Sequence, residues 1–255
     1  MKTTMAIACV AGLAMSGAAL ADWNPGDPYK MHYPQLPDPT GIDVNMTAAR
    51  LADDFRCTQS GPVTDIHFWW SVRGDREGVS QNAITSVTAQ IYSDVPGGIP
   101  GTPGFSQPGQ LLWQRTFSST QPNVKSRLYS QGTQSFWDPP FTPNTFTPAD
   151  HFFTYQTNIT EVGDAFVQTA GTIYWLSLQV TTASDNYVVG WKTSGSDQFN
   201  DTHVYQGAAG GWSPNYDPRL PTAPVKLDLA FVITPTPGTA GVLGLGLIAA
   251  ARRRR

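Results

Sequence analysis

The chain has 255 residues, 40% of them apolar, with 16 Lys and Arg against 19 Asp and Glu and a formal charge of −3. Charged residues make up 14% of it, against about 25% in an ordinary soluble domain, while Gly (24) and Pro (21) are plentiful. Such a composition suits a turn-rich sheet protein rather than a helical one, and without a lysine-rich run or basic stripe it excludes nucleic acid as a partner.

At the N-terminus, Lys2 supplies positive charge, Met5 to Leu20 is almost free of polar groups, and Ala19-Leu20-Ala21 fits the small-x-small pattern cut by signal peptidase, with Ala19 and Ala21 as the small residues. Residues 1–21 are therefore expected to form a signal helix that is removed on export. The run is short and weakly apolar for a permanent span. Cys9 stands at the front of the apolar run, whereas a lipid-accepting cysteine would follow it, so no lipid anchor is expected. Without Lys2 and the four terminal arginines, 11 basic residues face 19 acidic ones, and the exported part carries −8. That charge repels phosphate backbones and anionic lipid headgroups.

Residues 22–40 hold several prolines and no apolar periodicity, and they read as an extended lead-in. Thr47 to Phe55 reads as one or two helical turns. Cys57 is the one cysteine left after signal cleavage, so no intramolecular disulfide can form. It is expected to be a buried small hydrophobe, with pairing between chains as the alternative.

From Val63 the pattern alternates, as a strand requires, placing Ile66, Phe68 and Trp70 on one face and Asp65, His67 and Trp69 on the other. Val87, Ala89 and Ile91 repeat the pattern up to a Pro/Gly cluster at residues 96–101. Further strands are predicted over residues 111–117, 152–159, 172–182, 187–192 and 226–233, with long loops over 96–110 and 131–150. Seven to nine strands without intervening helices predict one domain over residues 22–234. The expected fold is all-β, a two-sheet antiparallel β-sandwich of jelly-roll type, flanked by the signal helix and a short C-terminal transmembrane helix.

Candidate chemistry is sparse. Asp53-Asp54, with Asp65 near in sequence, offers oxygen ligands for Ca²⁺, as does the cluster Asp197, Asn200, Asp201 and His203. Adjacent side chains on a strand point opposite ways, and the second cluster lacks the Gly and closing Glu of an EF-hand, so turn-forming carboxylates are the simpler reading of both. His32, His67, His151 and His203 show no HxH or HExxH spacing, and zinc would need ligands converging from distant strands. No Gly-x-Ser-x-Gly elbow is present, and no enzyme activity or resident cofactor is expected. Trp69, Trp137, Trp191 and Trp212 could stack on sugars if exposed, with Trp69, Trp137 and Trp212 the candidates for binding extracellular polysaccharide, or could fill the core.

The C-terminus holds Pro235-Thr236-Pro237, an apolar stretch from Gly238 to Ala251, and Arg252, Arg253, Arg254 and Arg255. Four arginines stay on the cytoplasmic side, which puts everything before Pro235 outside, in agreement with the signal sequence. The apolar stretch would span about 21 Å as a helix against a hydrocarbon core of about 30 Å, a short anchor. Residues 235–255 resemble the PEP-CTERM sorting signal, with Thr236 where that signal has Glu. The resemblance implies processing by an exosortase-type membrane enzyme on the way to the cell surface or extracellular polysaccharide.

Lys30-Met31-His32-Tyr33-Pro34-Gln35-Leu36-Pro37, Leu51-Ala52-Asp53-Asp54-Phe55, residues 61–69, Gly190-Trp191-Lys192-Thr193-Ser194 and residues 227–233 also resemble an uncharacterised family of secreted domains of planctomycete-like bacteria. That resemblance implies a single exported domain and assigns no site. The expected role is structural or adhesive, at the cell surface or in the extracellular matrix, with a carbohydrate-binding module or, further off, a glycan-active hydrolase as the alternative.

Overall fold

The structure, a computed structural model, describes residues 23–139, 145–195, 199–207 and 209–234. The signal segment, the tail from Pro235 and Asp197 lie outside the described residues. Among the described residues the chain is all-β, with no helix, and none long and apolar enough to cross a membrane.

Its strands are β1 (Ile42–Asn45), β2 (Arg50–Arg56), β3 (Gly61–Pro62), β4 (Asp65–Val72), β5 (Ile84–Val95), β6 (Gln107–Ser118), β7 (Val124–Asp138), β8 (Thr145–Ile159), β9 (Val167–Gln168), β10 (Ile173–Thr182), β11 (Val189–Lys192), β12 (Val204–Gln206), β13 (Trp212–Pro214) and β14 (Phe231–Thr234). The first sheet runs β11-β1-β7-β8-β4-β14, and β11 also pairs with β4, so that β11, β1, β7, β8 and β4 close into a small barrel-like ring. The one parallel pair in it is β1 with β7. The second sheet, β13-β12-β2-β10-β5-β6, is antiparallel throughout.

Side-chain alternation decides what each face does. In the first sheet Ile42, Val44, Phe68, Trp70, Trp191 and Phe231 point one way and share a core with Leu51, Phe55, Ala89, Ile91, Leu176 and Leu178 of the second sheet. This apolar interface supplies the bulk of the hydrophobic stabilisation. The opposite face of the first sheet turns into the ring. There Trp69, Ala230 and Val232 pack with Trp23, Leu36 and Tyr129. Consequently all eight residues of β4 are buried, on both faces.

Several sequence expectations are corrected. Residues 47–55 contain no helical turn: Asn45 Oδ1 accepts the backbone N–H groups of Thr47 and Ala48, turning the chain straight into β2. Most of the stretch expected as a loop over 131–150 belongs to β7 and β8, two 15-residue strands whose register shifts at bulges between Leu128 and Phe136. Bulges break strict alternation, which hides such strands in sequence. Strand β6 begins at Gln107, inside the other expected loop. The strand expected over residues 226–233 is continuous only over Phe231–Thr234, with single bridges at Lys226 and Leu229 before it. Among the described residues there are fourteen strands, two of them two residues long, where seven to nine were expected. The lead-in is pinned by bridges from Met31 to Cys57, Gln35 to Phe231 and Pro37 to Ser194.

Candidate functional site

Inside the ring, strand register gathers a charged cluster. Asp43 on β1 lies opposite Lys192 on β11 and Phe136 on β7, while Gln134 on β7 lies opposite His151 on β8. Partners across a sheet share a face, so these side chains all enter the same interior. Lys192 Nζ lies 3.3 Å from Asp43 Oδ2 and donates to Gln134 Oε1, whose amide in turn donates to Thr154 Oγ1 at 3.0 Å. His151 Nε2 stands 3.0 Å from the same Asp43 oxygen, off the axis of a straight hydrogen bond. Its Nδ1 is 3.3 Å from Asp150 Oδ1, which also accepts the N–H of Gly74. Asp43 and His151 are 0% exposed and Lys192 1%.

Burial disfavours every charge here, and the neighbours decide the outcome. Burial pulls Lys192 below its ordinary value against the opposing pull of Asp43. It would raise Asp43, but Lys192 and His151 outweigh it and hold that carboxyl low. It would lower His151, but Asp43 and Asp150 raise the imidazole to about 9. Gly190 makes room for the cluster, since a Cβ there would lie 2.6 Å from the Phe136 ring and 2.8 Å from Asp43 Cβ. Asp43 Oδ1, Ser71 Oγ and Trp69 Nε1 find no partner among the described residues. The arrangement sets an amine, a carboxylate and an imidazole together, out of water.

A second group of buried acids lies where the two sheets meet. Asp53 Oδ2 accepts from Leu229 N (2.6 Å) and Gln35 Nε2 (3.0 Å), Asp54 Oδ2 from Asn200 Nδ2 (2.6 Å), and Asp228 Oδ2 from Phe199 N (2.6 Å). Burial first, then mutual repulsion, raises Asp53 well above the usual carboxylate range; burial likewise raises Asp54 and takes Asp228 to about 7. Asp53 and Asp54 sit on opposite faces of β2, as consecutive strand residues must. Asp201 is engaged by Ser106 and Lys226. Among the described residues no three His, Cys, Asp or Glu side chains converge on a point that could hold a metal, and Asp53 and Asp201 accept the hydrogen bonds named above.

The tryptophans divide. Trp69 is 0% exposed and meets Trp23 and Tyr129 edge to face, so no sugar can reach its ring. Trp191 is likewise internal, its Nε1 bonded to Ala230 O. Trp137 is nearly buried but forms part of an open hollow of about 330 Å³ with Asn215, Tyr216, Asp217 and Leu220. Trp212 is half-buried at the edge strand β13, edge-on to Tyr92. Cys57 is buried, and burial pushes its thiol up to about 11, as an inert core residue requires. His67, His151 and His203 lie in three separate networks.

Asp43, Gln134 and Asp150 carried no signal in the sequence reading. Their meeting with Lys192 and His151 depends on the pairing of β1 with β11, strands far apart in the chain, and no local pattern encodes it. The sequence did hold one hint: a lysine in a strand otherwise reading as buried.

No curated protein and no solved structure matches the chain. A family model described as Domain of unknown function (DUF7901) matches residues 31–234, which take in both sheets and the charged cluster. The chain belongs to this family.

Proposed function

We propose that residues 22–234 form an exported, non-enzymatic domain that serves as a structural or adhesive part of the cell surface or extracellular matrix. On this reading the two sheets make a β-sandwich of jelly-roll type, one of whose sheets has curled shut. The observation that carries the proposal is the burial of the Asp43, His151 and Lys192 cluster, each at most 1% exposed, because groups sealed from solvent serve the fold rather than a diffusing substrate. The cationic residues flanking both apolar ends, Lys2 and Arg252 to Arg255, support export and transient anchoring, with signal peptidase and an exosortase-type enzyme as processing partners. The acidic charge of −8 suits a soluble exterior. A reporter enzyme active only outside the cytoplasm, fused after Thr234, should be active; activity only from a cytoplasmic reporter would overturn the reading.

A second reading, binding of extracellular polysaccharide, is favoured by the hollow beside Trp137 and the exposed Tyr216, where an aromatic floor meets Asn215 and Asp217. A glycan array probed with the exported domain tests it. Binding lost in Tyr216→Ala supports this reading, and no binding to any glycan removes it.

A further inference from the structure

We propose that Lys192 and Asp43 become joined by an amide bond inside the ring, with His151 as the catalytic proton carrier. The inference rests on the geometry of the ring and not on export, so its failure would leave the surface role standing.

Three observations carry it. Register places Asp43 directly across the seam from Lys192, on the inner face, with Nζ 3.3 Å from Oδ2. Both side chains are withdrawn from water, at 0% and 1% exposure, so no bulk water competes with the amine for the acyl carbon, and one proton passed within the pair gives the amine and acid from which an amide forms. The third reacting group is already present, since His151 Nε2 lies 3.0 Å from the same Oδ2. Gln134 Oε1 accepts from Lys192 Nζ and fixes the direction of the amine.

The step balances as a dehydration. The Lys192 ammonium passes one proton to Asp43 Oδ2, leaving a free amine beside a carboxylic acid. Nζ attacks Cγ and forms the new C–N bond. The His151 imidazolium gives its Nε2 proton to the departing Oδ2 hydroxyl and takes back the second proton shed by Nζ, so that the Cγ–Oδ2 bond breaks and water leaves. His151 ends as it began. Nothing is oxidised or reduced, and no cofactor is consumed. Oδ1, which lacks a partner among the described residues, stays as the amide carbonyl oxygen. One amide then replaces two buried charges. The bond ties β1 to β11, the two four-residue strands at the seam of the ring, and encloses a loop between positions 149 apart in sequence. A covalent seam of this kind resists pulling and heat, as a matrix protein needs.

The test is the intact mass of the full chain recovered from cells, followed by peptide mapping. The expected mass is lower, by one water, than that of the same chain with Lys192 free, and a protease digest yields one branched peptide containing both Asp43 and Lys192. Lys192→Arg and Asp43→Ala, which lack the amine or the acyl carbon, should keep the full mass and still show the far-ultraviolet signature of a sheet protein. His151→Gln should slow the loss of water at least tenfold after synthesis. Wild-type mapping needs no variant, so misfolding of a variant leaves the test intact. A folded wild-type chain at full mass, with Lys192 open to amine labelling once unfolded, would overturn the proposal. So would a loss of one ammonia with Lys192 linked to Gln134, and bond formation at the wild-type rate in His151→Gln would overturn the assignment to that residue.

Discussion

Asp53 on β2 accepts the backbone N–H of Leu229 at 2.6 Å, and this bond ties the second sheet to the segment that leads into β14 of the first. The same oxygen takes the Gln35 amide, so the lead-in is held at the same point. Asp53→Ala would take the side-chain acceptor from the buried N–H of Leu229 and from that of Asp54 and leave Gln35 Nε2 only the longer bond to Asp54 O, and a buried donor without a partner loses more than the bond was worth. Urea unfolding should show a loss of about 3 kcal/mol, whereas a loss below about 0.5 kcal/mol would mean that water already serves these donors.

Gly190 is demanded by its neighbours rather than by its backbone. A methyl group there would press on the Phe136 ring and Asp43 Cβ, both fixed inside the ring. Overpacking of this kind costs about 1–3 kcal/mol, and Gly190→Ala should fall in that range by thermal or chemical unfolding.

Trp69 and Trp212 offer a contrast in burial. Removing the fully buried Trp69 ring should destabilise the domain by about 3–5 kcal/mol, while Trp212→Ala, at a half-buried edge, should lose far less. Paired unfolding curves check this, and equal effects would contradict the placement of Trp69 inside the ring.

His203 supplies a pH dependence with a definite sign. Its Nδ1 faces Leu227 O at 2.7 Å and its Nε2 faces the Asn215 side-chain amide at 3.1 Å, so the ring is held as the neutral tautomer that donates from Nδ1. Burial lowers it from 6.5 to about 4. The unfolded chain therefore binds a proton that the folded chain refuses, and stability present above pH 6.5 is lost as pH falls towards 4, by about 1.4 kcal/mol per pH unit. His203→Gln should flatten that loss in denaturation series across this window.

Asp228 works in the opposite sense. Its carboxyl rises from 3.8 to about 7 through burial, so the fold favours the protonated form. This contribution is full below pH 3.8 and disappears as pH rises through 7. Asp228→Asn should abolish that decline and leave the domain more stable than wild type at pH 8, as the same denaturation series will show.

How far the fold was legible follows from the range of each signal. Alternation at Ile66, Phe68 and Trp70, and at Val87, Ala89 and Ile91, is local, and it correctly gave strands and their core face. The opposite face of β4, with His67 and Trp69, read as a separate surface; it is buried because the sheet closes through β11, a pairing set by residues more than a hundred positions apart in sequence. The bulged hairpin of β7 and β8 was missed because its polar outer residues and register shifts erase the period of two. The charged cluster escaped for the reason that hid the closure: Asp43, Gln134, His151 and Lys192 are neighbours only across strands.

A role at the cell surface or in the matrix requires the domain to reach the exterior. Proteolysis of intact cells, with an antibody raised against residues 22–234, tests this most directly. The domain should be lost from intact cells, or found in the washed extracellular matrix, while a cytoplasmic control protein survives. Full protection of the domain until the cells are lysed would contradict the account.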